Sequence, residues 1–494
     1  MQEDTSRGPA PPGTANSDVQ ESAEGAVLPS EGNAALCLEV ATQHTLHEQD
    51  QQEQATEKRT PPEAIKGLHD PPASQLGASK GKTEMCVHEL DSASLQQLPS
   101  SGLSFFYRDE CKKNGIQENP LVLECLALYD EQTMYRDGRD EVSSKRKVTA
   151  PLNISCCGSD KRVFCRRLDN LQLIPVVHTI AFAGANLRSL DLSYNALSND
   201  AAVSLSTLLR CCCQHIAVIN LQSNCISGTG CASLCESFAV CKSIEAVNLS
   251  FNPLGKEGAL AVATWLETNP SATAVCLNSC ELDPDGLIAL SVALTGKNTT
   301  VRELDVGNLT KFSLEPNYCY YLSGMLERNN TLRELCLAKQ SIGDEGIKIL
   351  LPVLKSHKGL VKLDLSCNQI TFYGSKALRV LLSENTTLQH LNLNCNRLAK
   401  YGAKAIAEGL RVNKSLVVLQ INNNGIPPPA LICLAEAIKM NTSLARVDIT
   451  MNDFDSESAE AFKQLMGPDS PRPAGLTTDF FTYTVDGTTF IANT

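Results

Sequence analysis

The chain has 494 residues, 43% of them hydrophobic, enough to build a large core. Its formal net charge is −12, yet residues 1–100 hold 16 Asp+Glu against 6 Lys+Arg, and the remaining 394 hold 39 acids and 37 bases. That near-neutral remainder argues against nucleic-acid binding through a broad basic face, and no run of about 18 apolar residues offers a membrane span.

Residues 1–98 are polar, acidic and rich in Pro, Gln, Glu and Ser. Such a segment cannot bury enough apolar surface to offset its ordering entropy, so it is predicted to be a disordered acidic arm. The run Gly77-Ala-Ser-Lys-Gly81-Lys82-Thr83 inside it imitates a phosphate-binding loop. It is one residue short between the glycines and follows no apolar strand, so nucleotide binding is not expected. The start, Met-Gln-Glu-Asp-Thr-Ser, lacks the basic and apolar regions of a secretory signal. The expectation is a protein of the cytoplasm or nucleus, the nucleolus included, and not a secreted one. Its 21 cysteines are then reduced thiols. The groups Cys211-Cys212-Cys213 and Cys225, Cys231, Cys235, Cys241 lack paired Cys-x-x-Cys spacing, which points to buried thiols and no metal site. Sequons such as Asn298-Thr-Thr and Asn385-Thr-Thr read as turns at helix ends.

Residues 99–186 are predicted to form an amino-terminal helical cap and a degenerate first repeat. Order begins near Leu103-Ser-Phe-Phe-Tyr107, and Asn119-Pro120 opens the next helix as N-cap and first helical residue. Lys145-Arg146-Lys147 is a short basic loop, read as a solvated turn or an aid to nuclear entry. Leu152-Asn-Ile154 reads as a degenerate strand with Cys157 in its turn slot, and a helix should follow over 169–182. A cap is needed because an open end exposes both core and strand edge.

From residue 187 to 466 one frame recurs. Leu360-x-x-Leu363-x-Leu365-x-x-Asn368-x-Ile370 is repeated 28 residues on as Leu388-x-x-Leu391-x-Leu393-x-x-Asn396-x-Leu398. The Asn slot runs through Asn195, Asn224, Asn252, Cys280, Leu309, Gln340, Asn368, Asn396, Asn424 and Asn452. Apolar residues at alternate positions face one side of a short strand. The Asn sits where the chain leaves that strand, and its amide can satisfy backbone groups that have lost ladder partners. The rest of each unit, such as 400–410, has the period of an amphipathic helix. A lone unit cannot bury its leucines, so about ten units stack. The predicted fold is an α/β leucine-rich-repeat solenoid, a horseshoe with a parallel concave sheet and convex helices. Asn298, Asn329, Asn385, Asn413 and Asn441 fall at helix ends, where a left-handed residue is expected to close the helix.

The fifth unit, Val301-x-x-Leu304-x-Val306-x-x-Leu309, is irregular and carries Phe312, Tyr318, Tyr320 and Tyr321. These aromatics read as convex-side packing or as a partner patch. Residues 467–494 are predicted to be a linker and a carboxy-terminal β-hairpin around Asp486-Gly487.

In this frame the exposed concave face is formed by the strand residues between the leucines. They are Asp191, Asn220, Asn248, Cys276, Asp305, Cys336, Asp364, Asn392, Gln420 and Asp448, with Ser193, Gln222, Ser250, Asn278, Gly307, Ala338, Ser366, Asn394, Asn422 and Thr450 in the next row. Arg188, Arg302, Arg333, Lys362 and Arg446 lie at the edge beside Glu245, Glu303 and Glu334. Candidate partner-binding residues are Asp191, Asn220, Asn248, Arg302, Asp305, Arg333, Asp364, Asn392, Gln420 and Asp448. The single Trp265 falls in a helix, so a tryptophan-anchored interface on this face is not expected. No catalytic, cofactor-binding or metal motif is present.

The period of 28–31 residues with a full helix per unit resembles the ribonuclease-inhibitor-like leucine-rich repeat family. The resemblance spans about residues 103–492 and implies a non-enzymatic scaffold or adaptor that binds one or more proteins on its concave face. Charge, hydropathy and the lack of motifs add the expectation of a monomer that holds no cofactor, nucleic acid or membrane. Two other classes remain open: a regulator of a small GTPase, as in the Ran GTPase-activating protein with its similar repeats, and a structural component of cilium or centrosome.

Overall fold

The computed structural model describes residues 102–137, 150–163, 167–183, 187–212, 215–309, 316–466 and 475–493. The acidic arm, the Gly77–Thr83 run, Lys145–Lys147, Cys213 and Phe312 lie outside these.

Two helices open the described chain, α1 (Gly102–Lys113) and α2 (Pro120–Asp137). Asn119 Oδ1 accepts from Leu121 N at 3.0 Å, so the Asn-Pro pair starts α2 as its chemistry suggests. Asp130 reaches back to the start of α1, accepting from Leu103 N at 2.7 Å and Ser104 N at 2.9 Å. Glu110 of α1 meets His178 Nδ1 at 2.7 Å on the helix Leu173–Ala183, tying the cap to the first unit.

Beyond the cap, strands and helices alternate. Twelve strands form one sheet in strict chain order: β1 (Leu152–Ser155), β2 (Leu187–Asp191), β3 (Val218–Asn220), β4 (Ala246–Asn248), β5 (Ala274–Cys276), β6 (Glu303–Asp305), β7 (Glu334–Cys336), β8 (Lys362–Asp364), β9 (His390–Asn392), β10 (Val418–Gln420), β11 (Arg446–Asp448) and β12 (Thr477–Thr478). Every neighbouring pair is parallel. Residues one repeat apart are register partners, as in Leu335↔Leu363 and Leu363↔Leu391. Each helix then packs on the next, and one continuous core of leucines runs along the chain. This is the α/β leucine-rich-repeat solenoid that the repeat frame demands.

Two ladders of polar side chains inside the core hold successive units together. In the first, each slot amide donates to a carbonyl of the preceding unit, and all but Gln340 and Asn424, whose side-chain oxygens have no partner, also accept from backbone N–H groups there. Asn368 Nδ2 donates to Leu337 O at 2.7 Å, and its Oδ1 accepts from Gln340 N at 2.9 Å and Ile342 N at 3.2 Å. Asn195, Asn224, Asn252, Asn396, Asn424 and Asn452 donate in the same way. Cys280 substitutes with Sγ to Leu249 O at 3.0 Å, and Gln340 with Nε2 to Val306 O at 2.6 Å. Leu309 has no polar atom to offer. In that unit Tyr318, one of the four aromatics of the irregular segment, is buried and donates its hydroxyl to Gln340 O at 2.6 Å. Tyr320 and Tyr321 are exposed.

The second ladder corrects the expectation for the helix-end asparagines. None of Asn298, Asn329, Asn385, Asn413 and Asn441 has a positive φ; Asn385 sits at φ −76°, ψ 136°. Their side chains satisfy the helix end instead. Asn385 Oδ1 accepts from Thr387 N and Leu388 N, both at 2.8 Å, and Nδ2 donates to Leu354 O at 2.8 Å. His357 fills this slot in its own unit. Its Nδ1 accepts from Gly359 N and Leu360 N, so the proton is on Nε2, which meets Asn329 O at 2.9 Å. Burial lowers its pKa, consistent with a neutral ring.

The left-handed backbone falls elsewhere. Tyr194, Ser223, Phe251, Ser279, Asn308, Lys339, Cys367, Cys395, Asn423 and Met451 all have φ between 50° and 61°, and each precedes an Asn slot. A second correction concerns the first strand. Ile154 pairs with Leu190, which carries the frame to Ser159 and leaves Cys156 in the buried leucine position. Cys157 is therefore not in the slot.

At the far end the Asp479 carboxylate, directly after β12, accepts from Ile449 N at 2.9 Å and Thr450 Oγ1 at 2.6 Å. Phe480 is buried against Phe454 and Phe462, ring centroids 5.6 and 5.8 Å apart. An antiparallel hairpin of β13 (Phe480–Val485) and β14 (Thr488–Asn493) turns at Asp486-Gly487, both with positive φ.

Removing a slot amide strands several buried backbone groups at once. Asn368→Ala is expected to lower stability by about 2–4 kcal/mol in urea unfolding. At the exposed neighbouring position, Gln369→Ala should change it little. A loss under about 0.5 kcal/mol at Asn368 would show that water replaces the amide.

Candidate partner-binding face

The strand residues between the leucines come into register as one row across the sheet: Asp191, Asn220, Asn248, Cys276, Asp305, Cys336, Asp364, Asn392, Gln420 and Asp448. The sheet thus brings the candidates together, but it does not leave them all exposed. Asp305 is 2% exposed and Asp364 6%, and Asn248 and Asp448 are also buried. Asp191, Asn220, Asn392 and Gln420 are half-buried. Of the candidates, Arg302 and Arg333 alone are exposed, joined at the sheet edge by the exposed Arg446.

The cause is a local hydrogen bond that repeats through the row. The side-chain oxygen accepts the N–H two residues on, ending the strand as an Asx turn. It is seen for Asp191 with Ser193 N, Asn220 with Gln222 N, Asn248 with Ser250 N, Asp305 with Gly307 N, Asp364 with Ser366 N and Asn392 with Asn394 N, at 2.8–3.1 Å. Lateral bonds close the row further. Asn392 Nδ2 donates to Asp364 Oδ2 at 2.8 Å, Gln420 Nε2 to Asp448 Oδ2 at 2.9 Å, and Asn278 Nδ2 to Asp305 Oδ1 at 3.2 Å. A Cβ at Gly307 would stand 2.6 Å from the Asn278 amide, so a larger residue there would push that amide from its place beside Asp305. Burial raises the pKa of Asp305 and of Asp364, and it pushes the Cys336 thiol between them well up. The polar floor is a structural seam.

Two residues earlier a second row lies in register: Glu303, Glu334, Lys362 and His390. Lys362 Nζ pairs with Glu334 Oε2 at 3.3 Å. Glu303 Oε2 is buried without a hydrogen-bond partner, and burial together with the Glu334 charge raises the Glu303 pKa to about 7. Burial and Lys362 lower that of His390. The exposed guanidinium of Arg302 stands next in the chain, while Arg333 Nη1 donates to Gly359 O at 2.7 Å. This half-desolvated mixed-charge cluster was hard to find in sequence, since only register shows that residues 303, 334, 362 and 390 are neighbours. Among the described residues no group of His, Cys, Asp or Glu is arranged to hold a metal ion.

Fold and repeat geometry define a leucine-rich repeat protein. The Leucine Rich repeat family model matches residues 185–206, 212–235, 240–263 and 384–407. Over 292 residues the chain is 27% identical to a ribonuclease inhibitor of Sus scrofa, covering 52% of this chain and 62% of that one. It is 25% identical over 307 residues to a Protein phosphatase 1 regulatory subunit 37 homolog of Caenorhabditis elegans, covering 61% and 28%. A NACHT, LRR and PYD domains-containing protein 3 of Bos taurus is 28% identical over 205 residues, 36% and 20% of the two chains. The match thus spans less than two thirds of these relatives' own length. The chain thus carries leucine-rich repeats, and the proteins it is similar to include a ribonuclease inhibitor and a regulatory subunit homolog.

The Glu303 carboxyl supplies a pH test. Its pKa is raised from 4.5 to about 7 in the folded state, so the native chain holds a proton there that the unfolded chain releases. Its contribution favours folding below pH about 4.5 and is lost as pH rises through about 7. Glu303→Gln should therefore raise the Tm at pH 8 by roughly 1–2 °C, an effect reduced by the partial exposure of the site, and the gain should vanish by pH 4.5. An equal shift at both pH values would show that charge is not the cause.

Proposed function

We propose that this protein is a non-enzymatic scaffold or adaptor that binds a partner protein across its concave face. The observation that carries the reading is the Arg302–Glu303–Glu334–Lys362–His390 cluster. Charged groups are gathered there on a rigid sheet, partly desolvated, with one carboxylate oxygen lacking any partner. A protein bearing complementary charge would satisfy that oxygen. The buried floor of Asp305, Asp364 and Asp448 holds the cluster in place and does not itself make the contact. The names of the relatives support the reading, since an inhibitor and a regulatory subunit both act by binding another protein.

Within the repeat family, the Asn119-Pro120 cap helix, the irregular fifth unit and the Val485-Asp-Gly tail resemble the leucine-rich repeat-containing protein 34 group. A cytoplasmic or nuclear site of action belongs to the same proposal. Free thiols support it, since Cys231 Sγ and Cys235 Sγ lie 3.9 Å apart in a thiol–thiol hydrogen bond in the core.

Arg302→Glu combined with Lys362→Glu reverses the charges around the cluster without touching the floor. Captured from cell lysate beside wild type, the variant should lose specific partners at least about tenfold while keeping its circular dichroism. An unchanged partner set would overturn the concave-face reading. The double change Asp305→Arg, Asp364→Arg is unsuited to this purpose, because it would bury two unpaired guanidiniums and unfold the middle units.

A further inference from the structure

A different surface, on the flank where the helices begin, carries exposed aromatic rings beside lysines that pair with no carboxylate among the described residues. The helix Phe372–Glu384 starts with Phe372 and Tyr373, and the helix Ala399–Val412 of the next unit brings Tyr401 alongside. Phe372 lies 5.3 Å from Tyr373 and 5.6 Å from Tyr401 between ring centroids. Tyr373 is 64% exposed and Tyr401 62%. One unit on, the same position is an exposed proline, Pro429, in the run Pro427-Pro428-Pro429. Lys376 Nζ stands 4.5 Å over the Phe372 ring, and Lys400 Nζ 6.0 Å from that of Tyr401. Residues 371–407 hold five bases, Lys376, Arg379, Arg397, Lys400 and Lys404, against Glu384 alone. Glu384 is taken by Lys355 at 3.0 Å, and Arg379 by Glu408 at 3.7 Å. Lys376, Lys400 and Lys404 are left with no carboxylate among the described residues.

We propose that this strip docks the chain's own stretch Pro61–Pro72, in cis. That stretch reads Pro61-Pro62-Glu63-Ala-Ile-Lys-Gly-Leu-His-Asp70-Pro71-Pro72, two proline pairs each flanked by a carboxylate. Proline rings pack on tyrosine faces at low entropic cost, the chemistry by which aromatic-lined surfaces take proline-rich segments. Glu63 and Asp70 then supply the anions that Lys376 and Lys400 lack. The first 100 residues, with 16 acids against 6 bases, are drawn to this flank as a whole. The same excess of acid disfavours the arm at the Glu303–Glu334 pair. Reach is not limiting. The 30 residues from Pro72 to Gly102 can extend to about 100 Å. The path past eight units is about 40 Å along the sheet and about 80 Å along the helices. Tethering raises the local concentration of the segment enough for a weak contact to be populated. This surface is independent of the concave-face reading, and either can fail alone.

The test is zero-length carbodiimide cross-linking of the full-length chain, with peptide mass spectrometry on the monomer fraction. Links from Glu63 or Asp70 to Lys376 or Lys400 are expected, at a yield that does not change on dilution. In Tyr373→Ser, Tyr401→Ser that yield should fall about tenfold, the loss of about 1.4 kcal/mol of contact. Replacing Pro61, Pro62, Pro71 and Pro72 by Ser keeps the carboxylates and leaves the solenoid untouched, and it should lower the yield to the same extent. Three results would each overturn the proposal: no link between residues 1–101 and these lysines, links confined to a dimer fraction, or a yield indifferent to the prolines.

Discussion

The structure depends on one recurring interaction, a side-chain amide inserted between consecutive turns of the solenoid. Each strand is only a few residues long, so its backbone soon leaves the sheet and has N–H and C=O groups to satisfy inside a core. Asn368 bonds three backbone groups of the unit before it, Asn396 does likewise, and the other slot amides share at least the donation to the preceding unit's carbonyl. The geometry has a cost. Ten residues preceding the slots are held at positive φ, a strain of about 1 kcal/mol each for a side chain with a Cβ. The amide ladder and the leucine core together offset it. Where the slot holds Leu309 no such bond forms, and the chain repacks with the buried Tyr318 hydroxyl on the next unit's backbone.

The same demand governs the concave face. Asp and Asn recur in its floor because their oxygens cap the strand end two residues on, and this local need consumes the groups that a partner would otherwise meet. What remains for recognition stands at the rim, where Arg302 is exposed and the Glu303 carboxyl is left without a donor. Away from the sheet, the flank of Tyr373 and Tyr401 shows rings and cations that the solenoid itself does not use.

The fold was therefore legible to an unusual depth. A fixed period, leucines at alternate positions and an amide at the turn admit few structures besides a stacked parallel sheet. Three local details escaped. Sequence spacing placed Cys157 in the slot, but a shift of register between Leu152 and Asn153 moves it to Ser159. Asparagine at a helix end suggested a left-handed residue, while the carbonyls of the previous unit instead recruit its amide. His357 was invisible as a member of that series, because only the geometry shows an imidazole nitrogen accepting the same two N–H groups as an asparagine oxygen.

By itself, then, the amino-acid sequence determined the repeat, the sheet order, the position of the core and the roster of residues between the leucines, since all of these follow from periodicity and side-chain polarity. Only the tertiary structure decided which of those residues face water. Exposure depends on what each side chain meets one unit away, some 28 residues off in the chain. Asp305 and Arg302 are three positions apart, yet lateral hydrogen bonds bury the first while the second reaches past the sheet edge. The raised pKa of Glu303 has the same origin, a neighbouring carboxylate that parallel pairing alone brings beside it.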